Sequence, residues 1–296
     1  MTGPVVVGID GSPASMTAAW WAAHEAARRH LPVLLLHSWT SQPLDVTVPQ
    51  EALSKQQYGG RLLQRAEAEL RHRHGDLTVN TELVSAPAAQ ALLDLGAGAD
   101  LLVLGSSGHG AVAGFLLGSI SLHVLGLARC PTVTVRADDP AVEAGWDRPA
   151  APDRDEVVVG VREAGPAADP LLEFAFTTAR AEHSRIRAVR ALPLSSLLTH
   201  PRALSGEEAD GGYETDERAR LAAALAPWRE KFPDVPVVGH VARGSAAQVL
   251  LSASAHSRLT VVGRRHHPSR HTWKLGPVAH GVLHHVPCPV AVVPHD

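Results

Sequence analysis

Two clusters in the first half of the chain carry residues that could do chemistry. Asp10-Gly11-Ser12 follows the apolar run Val5-Val6-Val7-Gly8-Ile9; Gly105-Ser106-Ser107-Gly108-His109-Gly110 follows Leu101 to Leu104, with Gly118-Ser119-Ile120-Ser121 shortly after. Glycine at a strand end lets the backbone approach an anion with no Cβ in the way, and consecutive N–H groups then form a nest for it. Ser119 falls where a helix would begin, so its hydroxyl and the helix's first N–H groups could also face phosphate oxygens. A bare carboxylate repels a polyphosphate. Asp10 should therefore accept from a sugar hydroxyl or act through a divalent cation, with Mg2+ expected. Two plainer readings stand beside these: Asp10 only closes the following turn, and the glycines only supply turn conformations.

Short Val/Leu runs without polar alternation imply strands covered on both faces, and Ala-rich helical stretches separate them, which is the pattern of an α/β fold with a parallel sheet. The expected strands after the first are Val33 to Leu36, Val79 to Val84, Leu101 to Leu104 and Thr132 to Val135. Ser12 is placed to cap a helix with Pro13 at its first position, running through Ala18 to Arg29. In such sheets ligands sit outside the carboxyl ends of the strands where the strand order reverses, and both clusters lie at strand ends.

The chain repeats itself. Val5 to Ile9 matches Val157 to Val161 at an offset of 152, and Leu102 to Gly105 matches Thr260 to Gly263 at an offset of 158. At the second offset Cys130-Pro131 falls on Cys288-Pro289, and Thr132 to Val135 falls on Val290 to Val293. Internal duplication explains this most simply. Between the copies, Asp138 to Asp155 carries Pro140, Pro149 and Pro152 among alanines and acids and reads as a linker. The expected division is a first domain over 1–137, a linker over 138–154 and a second domain over 155–296, each domain a doubly wound, mostly parallel five-stranded sheet.

In the second copy Asp169 is likewise placed to cap a helix with Pro170 at its first position, leading into Leu171 to Glu182, and strands are expected at Ile186 to Ala191, Val237 to Val241, Leu259 to Val262 and Val290 to Val293. Ser41 to Gln57 and Ser195 to Asp216 read as variable loops. The second copy keeps this register and changes the chemistry: Arg162 stands for Asp10, His266 for Gly108, and Gly276-Pro277 for Gly118-Ser119. Pro277 removes both an N–H and a hydroxyl, so a degenerate site is expected. A rebuilt anion site from Arg162, Arg264, Arg265 and Lys274 is the alternative. His280 and His284, one turn apart, could hold a metal, but no HExxH pattern or nearby carboxylate accompanies them, which favours packed or solvated histidines.

With 296 residues the chain suits two domains of roughly 150 residues each. A net charge of -3 and 19% charged residues point away from a nucleic-acid partner. The start of the sequence lacks a basic, then apolar, leader, so a cytoplasmic location is expected. The 28 residues from Leu101 to Ala128 contain no Asp, Glu, Lys or Arg, yet their six glycines and four serines argue against a membrane helix. The two cysteines are expected to be buried thiols.

Gly105, two residues, Gly108, nine residues, Gly118-Ser119 is similar to the ATP-binding signature of the universal stress protein family, and the Asp10 strand end resembles that family's first motif. The likeness covers residues 3 to 137 and 155 to 295. It implies phosphate contacts from Gly105, Gly108, Gly118, Ser119 and Ser121, with Ser12, His109 and Ile120 beside them, base or ribose contacts from Ile9, Asp10 and Leu104, and a backbone contact from Ser38 at adenine. It also implies pairing through the last strands, Thr132 to Val135 and Val290 to Val293, and a homodimer. No GxxxxGK[ST], GxGxxG after the first strand, SGGxDS, HxGH or GxSxG is present, so a non-catalytic ATP-binding stress-response module is expected. The rivals are a nucleotide-free partner-binding stress protein with a vestigial motif, and a slow ATPase or nucleotidyl transferase.

Overall fold

A computed structural model describes residues 3–40, 49–106, 117–137, 139, 154–162, 165–192, 207–265 and 275–295. The chain divides into two compact units, Met1–Arg148 with Pro268–Leu275, and Pro149–His267 with Gly276–Asp296.

In unit one the elements follow as β1 (Val5–Gly8), α1 (Pro13–Arg29), β2 (Val33–Ser38), α2 (Pro49–Arg73), β3 (Val79–Val84), α3 (Ala88–Gly96), β4 (Leu101–Ser106), α4 (Ser119–Leu127) and β5 (Thr132–Arg136). The strands are parallel and ordered β3-β2-β1-β4-β5. The chain builds outward from β1 to β3, then returns to the other side of β1, so the order reverses between β1 and β4. Helices cover both faces, which is why Val5, Val6, Val7, Leu101, Leu102 and Val103 are all fully buried and read as unbroken apolar runs. Each contributes roughly 1.5 to 3 kcal/mol by leaving water. Ser12 caps α1, its Oγ accepting from the Ser15 N–H at 3.2 Å, and His30 ends the helix in the left-handed region at φ 56°. Ala18, Ala19, Ala22, Ala23 and Ala26 form a small-residue buried face that lets α1 lie close to the sheet.

Unit two repeats the plan with β6 (Glu156–Gly160), α5 (Asp169–Ala181), β7 (Arg185–Leu192), α6 (Glu207–Lys231), β8 (Val237–Arg243), α7 (Ala246–Ala253), β9 (Leu259–Arg265), α8 (Pro277–His285) and β10 (Val290–His295), ordered β10-β9-β6-β7-β8 and parallel. Its core adds an aromatic cluster in which the Phe176 ring lies 5.8 Å from Trp228 and 5.4 Å from Phe232. Cys130 and Cys288 are buried and free.

Two kinds of local expectation change. The loops expected over Ser41 to Gln57 and Ser195 to Asp216 are cut short by α2 and α6, which begin at Pro49 and Glu207. Residues 53–58 of α2 are exposed all round, so no apolar stripe marks that turn as helical, and the Gly211-Gly212 pair disguises the start of α6. Asp169 is the first residue of α5 and not its cap; Ala168 holds the cap position without a side-chain bond, and the Asp169 carboxylate sits in the first turn, where the helix dipole favours it. The uncharged stretch Leu101 to Ala128 begins in β4 and ends in α4, and no helix among the described residues is long and apolar enough to cross a membrane.

Candidate functional site

The reversal point of unit one lies between the carboxyl ends of β1 and β4. Beyond β1, Ser12 donates to Asp10 Oδ1 twice, from its N–H at 2.9 Å and its hydroxyl at 2.6 Å, so the carboxylate does close the turn. Asp10 nevertheless stays exposed to solvent. Partial burial pushes the Asp10 carboxyl up, but the Ser12 hydroxyl and N–H together with the Ser15 hydroxyl outweigh it and hold the group below the usual carboxylate range. Asp10 is thus a fixed anion that can still accept from a ligand hydroxyl or meet a phosphate-bound cation.

Gly11 adopts φ +86°, an angle that demands glycine, and a Cβ there would stand 2.6 Å from Leu62 Cδ1 and 3.3 Å from Tyr58 Oη where the turn meets α2. Gly105, at the end of β4, is equally constrained from another side: a Cβ would lie 2.5 Å from the Ala14 carbonyl carbon and oxygen and 2.7 Å from the Ser15 nitrogen. Its first duty is therefore to let the start of α1 seat against β4, which brings the Asp10 turn beside the β4 end.

Gly118 is different. It caps α4 at φ -60° and ψ 151°, angles open to any residue, and a Cβ there would meet no described atom within 4 Å. No side chain caps the helix, so the first N–H groups of α4 carry none of the protection that Ser12 gives α1. Ser119 and Ile120 are exposed, and Ser121 is buried in the same turn. Open N–H groups at a helix start are able to receive an anion.

Of the other residues expected at the site, Ile9 and Leu104 are buried in the core. The Ile9 N–H donates to the Leu36 carbonyl at 2.8 Å and its own carbonyl accepts from His37 Nδ1–H at 2.7 Å. The Ser38 hydroxyl donates to the Ala86 carbonyl at 2.5 Å and lies 3.1 Å from that of Thr40, tying the ends of β2 and β3 together. Gly108 and His109 lie outside the described residues. His37 and Tyr58 were not expected at the site from sequence; the only hint was Gly59 in α2, where a Cβ would stand 2.5 Å from His37 Cδ2.

The second copy keeps the frame and fills it otherwise. Helix α5 starts nine positions after β6 ends, against five between β1 and α1, so no tight Asp-Gly-Ser turn exists there. Gly276 holds the Gly118 conformation at φ -61° and ψ 157°, but Pro277 follows it with no N–H. Arg190 occupies the register position of His37, since Val189 pairs with Gly160 as Leu36 pairs with Gly8. It donates to the Arg162 carbonyl at 2.8 Å and forms an ion pair with Glu217, which also pairs with Arg220. Arg264 is buried and Arg265 exposed at the end of β9, and Lys274, His266, His267 and His271 lie outside the described residues. The His280 and His284 rings lie 4.3 Å apart, and no set of three metal-capable side chains is found among the described residues.

The sequence pattern of the Universal stress protein family matches residues 1–136 and again 154–294. The universal stress protein Rv2005c of Mycobacterium tuberculosis (strain ATCC 25618 / H37Rv) is 32% identical over 297 residues, covering 97% of this chain and 96% of that protein. A universal stress protein of Mycolicibacterium smegmatis is 32% identical over 298 residues, covering 98% and 96%. In fold, the chain is similar to a universal stress protein from Archaeoglobus fulgidus DSM 4304, with a TM-score of 0.72 at 16% identity over 99% of this chain and 98% of that one. Two matches in tandem and relatives spanning nearly the whole length establish that the chain belongs to the universal stress protein family.

Proposed function

We propose that the first copy binds ATP and that occupancy there stabilises a conformation or assembly through which the protein acts in a stress response, without catalysis. The observation that carries this reading is the start of α4. Gly118 has no conformational or packing reason to be glycine among the described residues, and it opens a helix N-terminus without a cap beside the reversal point. Phosphates would meet the N–H groups of Ser119, Ile120 and Ser121, with Gly105, Gly108 and His109 bordering them. Asp10 Oδ2 would accept from the ribose, and Ser38 would offer backbone to adenine. Mg2+ would be held mainly by the phosphates, with Asp10 as the one carboxylate at hand, because no set of three metal-capable side chains surrounds it among the described residues. The ion would screen the repulsion between Asp10 and the polyphosphate.

The reading further includes two domains joined by residues 138–154, a cytoplasmic homodimer, and a second copy that serves the fold and not the ligand. Sedimentation with and without nucleotide tests the assembly, with a dimer mass expected.

Thermal unfolding with Mg-ATP tests the binding. At a hundred times the dissociation constant, occupancy adds about 2.7 kcal/mol of stability. Asp10→Ala combined with Gly118→Leu is expected to abolish the shift, and Arg162→Ala to leave it. A wild-type chain that shows no shift binds no ATP. A nucleotide-free partner-binding role would then be the better reading, whereas release of ADP above background, lost in the same variants, would favour a slow ATPase.

A further inference from the structure

The strand order lays out a ligand's stations. With phosphates at the start of α4, beyond β4, and a sugar at Asp10, beyond β1, as in the proposed binding mode, the strand order β2-β1-β4 directs the base over β2 toward its helix α2. Helix α2 brings an aromatic ring there. Tyr58 is 62% exposed, yet its hydroxyl lies 3.3 Å from the point where a Cβ on Gly11 would stand. Tyr58 is thus a surface ring whose hydroxyl end reaches the Asp10-Gly11-Ser12 turn.

The duplication shows that the fold does not require it. Helices α2 and α6 each run 25 residues and coincide at the 158 offset, which puts Asp216 at the position of Tyr58 and Glu217 at that of Gly59. There, Glu217 is tied to Arg190, the counterpart of His37. At this position only the copy with Asp10 and Ser119 carries a ring, whereas the tyrosine of α6, Tyr213, stands three residues earlier; beside Tyr58, Gly59 admits His37 close against α2.

We infer that Tyr58 recognises the base by stacking on its face, and so sets the site's preference for a nucleotide over other polyphosphates. The inference rests on nucleotide binding by the first copy. A phenol face against a flat heteroaromatic supplies attraction that needs no sequence of hydrogen bonds.

The test uses the full chain with Mg2+ and two probes: calorimetry with ATP, and fluorescence of 2-aminopurine riboside triphosphate, whose emission is quenched when its base stacks. Tyr58→Ala is expected to weaken ATP binding roughly tenfold and to abolish the quench at saturation. Tyr58→Phe should preserve both, and Asp216→Ala should change neither. Because Tyr58 is exposed, the urea midpoint should stay unchanged, which separates lost contact from lost fold. Wild-type affinity in Tyr58→Ala, or weakened affinity with the quench intact, overturns the role of Tyr58 while leaving nucleotide binding in place. No binding of either probe by the wild-type chain overturns both.

Discussion

Gly105 and Gly263 hold the same place at the end of the fourth strand of each copy, and they are confined by different neighbours. A Cβ on Gly105 would strike the backbone of Ala14 and Ser15, whereas a Cβ on Gly263 would stand 2.7 Å from Nε2 of His295, the far end of a side chain. In the first copy the short Asp10-Gly11-Ser12 turn pulls the start of α1 onto β4; in the second the longer connection leaves that seat to a histidine. The α/β frame accepts both solutions. The tight seat is therefore not a demand of the sheet. The same lesson comes from the next strand over, where His37 against Gly59 becomes Arg190 against Glu217: a small, open junction in one copy and an internal ion pair in the other.

Breaking this comparison should be easiest at the glycines. Gly105→Ala must move a helix backbone and is expected to cost about 3 kcal/mol, while Gly263→Ala needs only a side-chain shift and should cost about 1 kcal/mol. Urea unfolding measures both, and equal costs would remove the distinction. Next come the junctions. Arg190→Ala leaves Glu217, whose side chain is 3% exposed, with Arg220 as its one remaining ion-pair partner among the described residues, for an expected loss of about 2 to 3 kcal/mol. His37→Ala removes one hydrogen bond to a carbonyl and should cost about 1 kcal/mol.

The helix caps should behave alike in both copies. Ser12→Ala and Ser245→Ala each remove an Oγ that accepts from a backbone N–H, at 3.2 Å and 3.3 Å, and each should cost about 1 kcal/mol in thermal unfolding. Only Ser12→Ala should also raise the Asp10 titration followed by carboxyl-carbon NMR, since both its hydroxyl and its placement lower that group.

Acid provides the subtlest contrast. Burial pushes the Glu156 carboxyl up, but the Arg187 hydrogen bonds and charge, with Arg185 beside them, hold it below its usual range. Arg187 meets Glu156 through two bonds of 2.8 and 2.9 Å. A carboxyl lowered on folding contributes stability that is present above its unfolded value, near about pH 4, and is lost as pH falls through the folded value. Glu156→Gln should therefore lower stability at neutral pH and flatten its decline below about pH 4. Asp10→Asn should do the same more weakly, because Asp10 is exposed. A decline that stays as steep in Glu156→Gln would mean the pair contributes nothing to acid sensitivity.

The strands of both copies were legible because fully buried parallel strands leave unbroken Val/Leu runs, and the start of α1 was legible because Ser12 and Pro13 carry their signals locally. The starts of α2 and α6 were not, because an exposed helical turn needs no apolar period. Nor was it legible that Asp10 closes its turn and still stays exposed. The contacts that distinguish the copies join residues far apart in sequence: His37 to Ile9, Arg190 to Arg162, Tyr58 to Gly11. Gly105 and Gly118 looked alike as strand-end or loop glycines, and only their neighbours separate a packing glycine from one with room above it.

The most direct test exchanges one residue between the copies. Proline suits the first position of a helix, where its missing N–H breaks no internal bond, so Ser119→Pro should leave α4 folded while removing a donor and a hydroxyl from the start of the helix. Calorimetric titration of the full chain with Mg-ATP is expected to give one site per wild-type chain and none in Ser119→Pro. Two sites per chain, or undiminished binding in Ser119→Pro, would contradict the assignment of the nucleotide to the first copy.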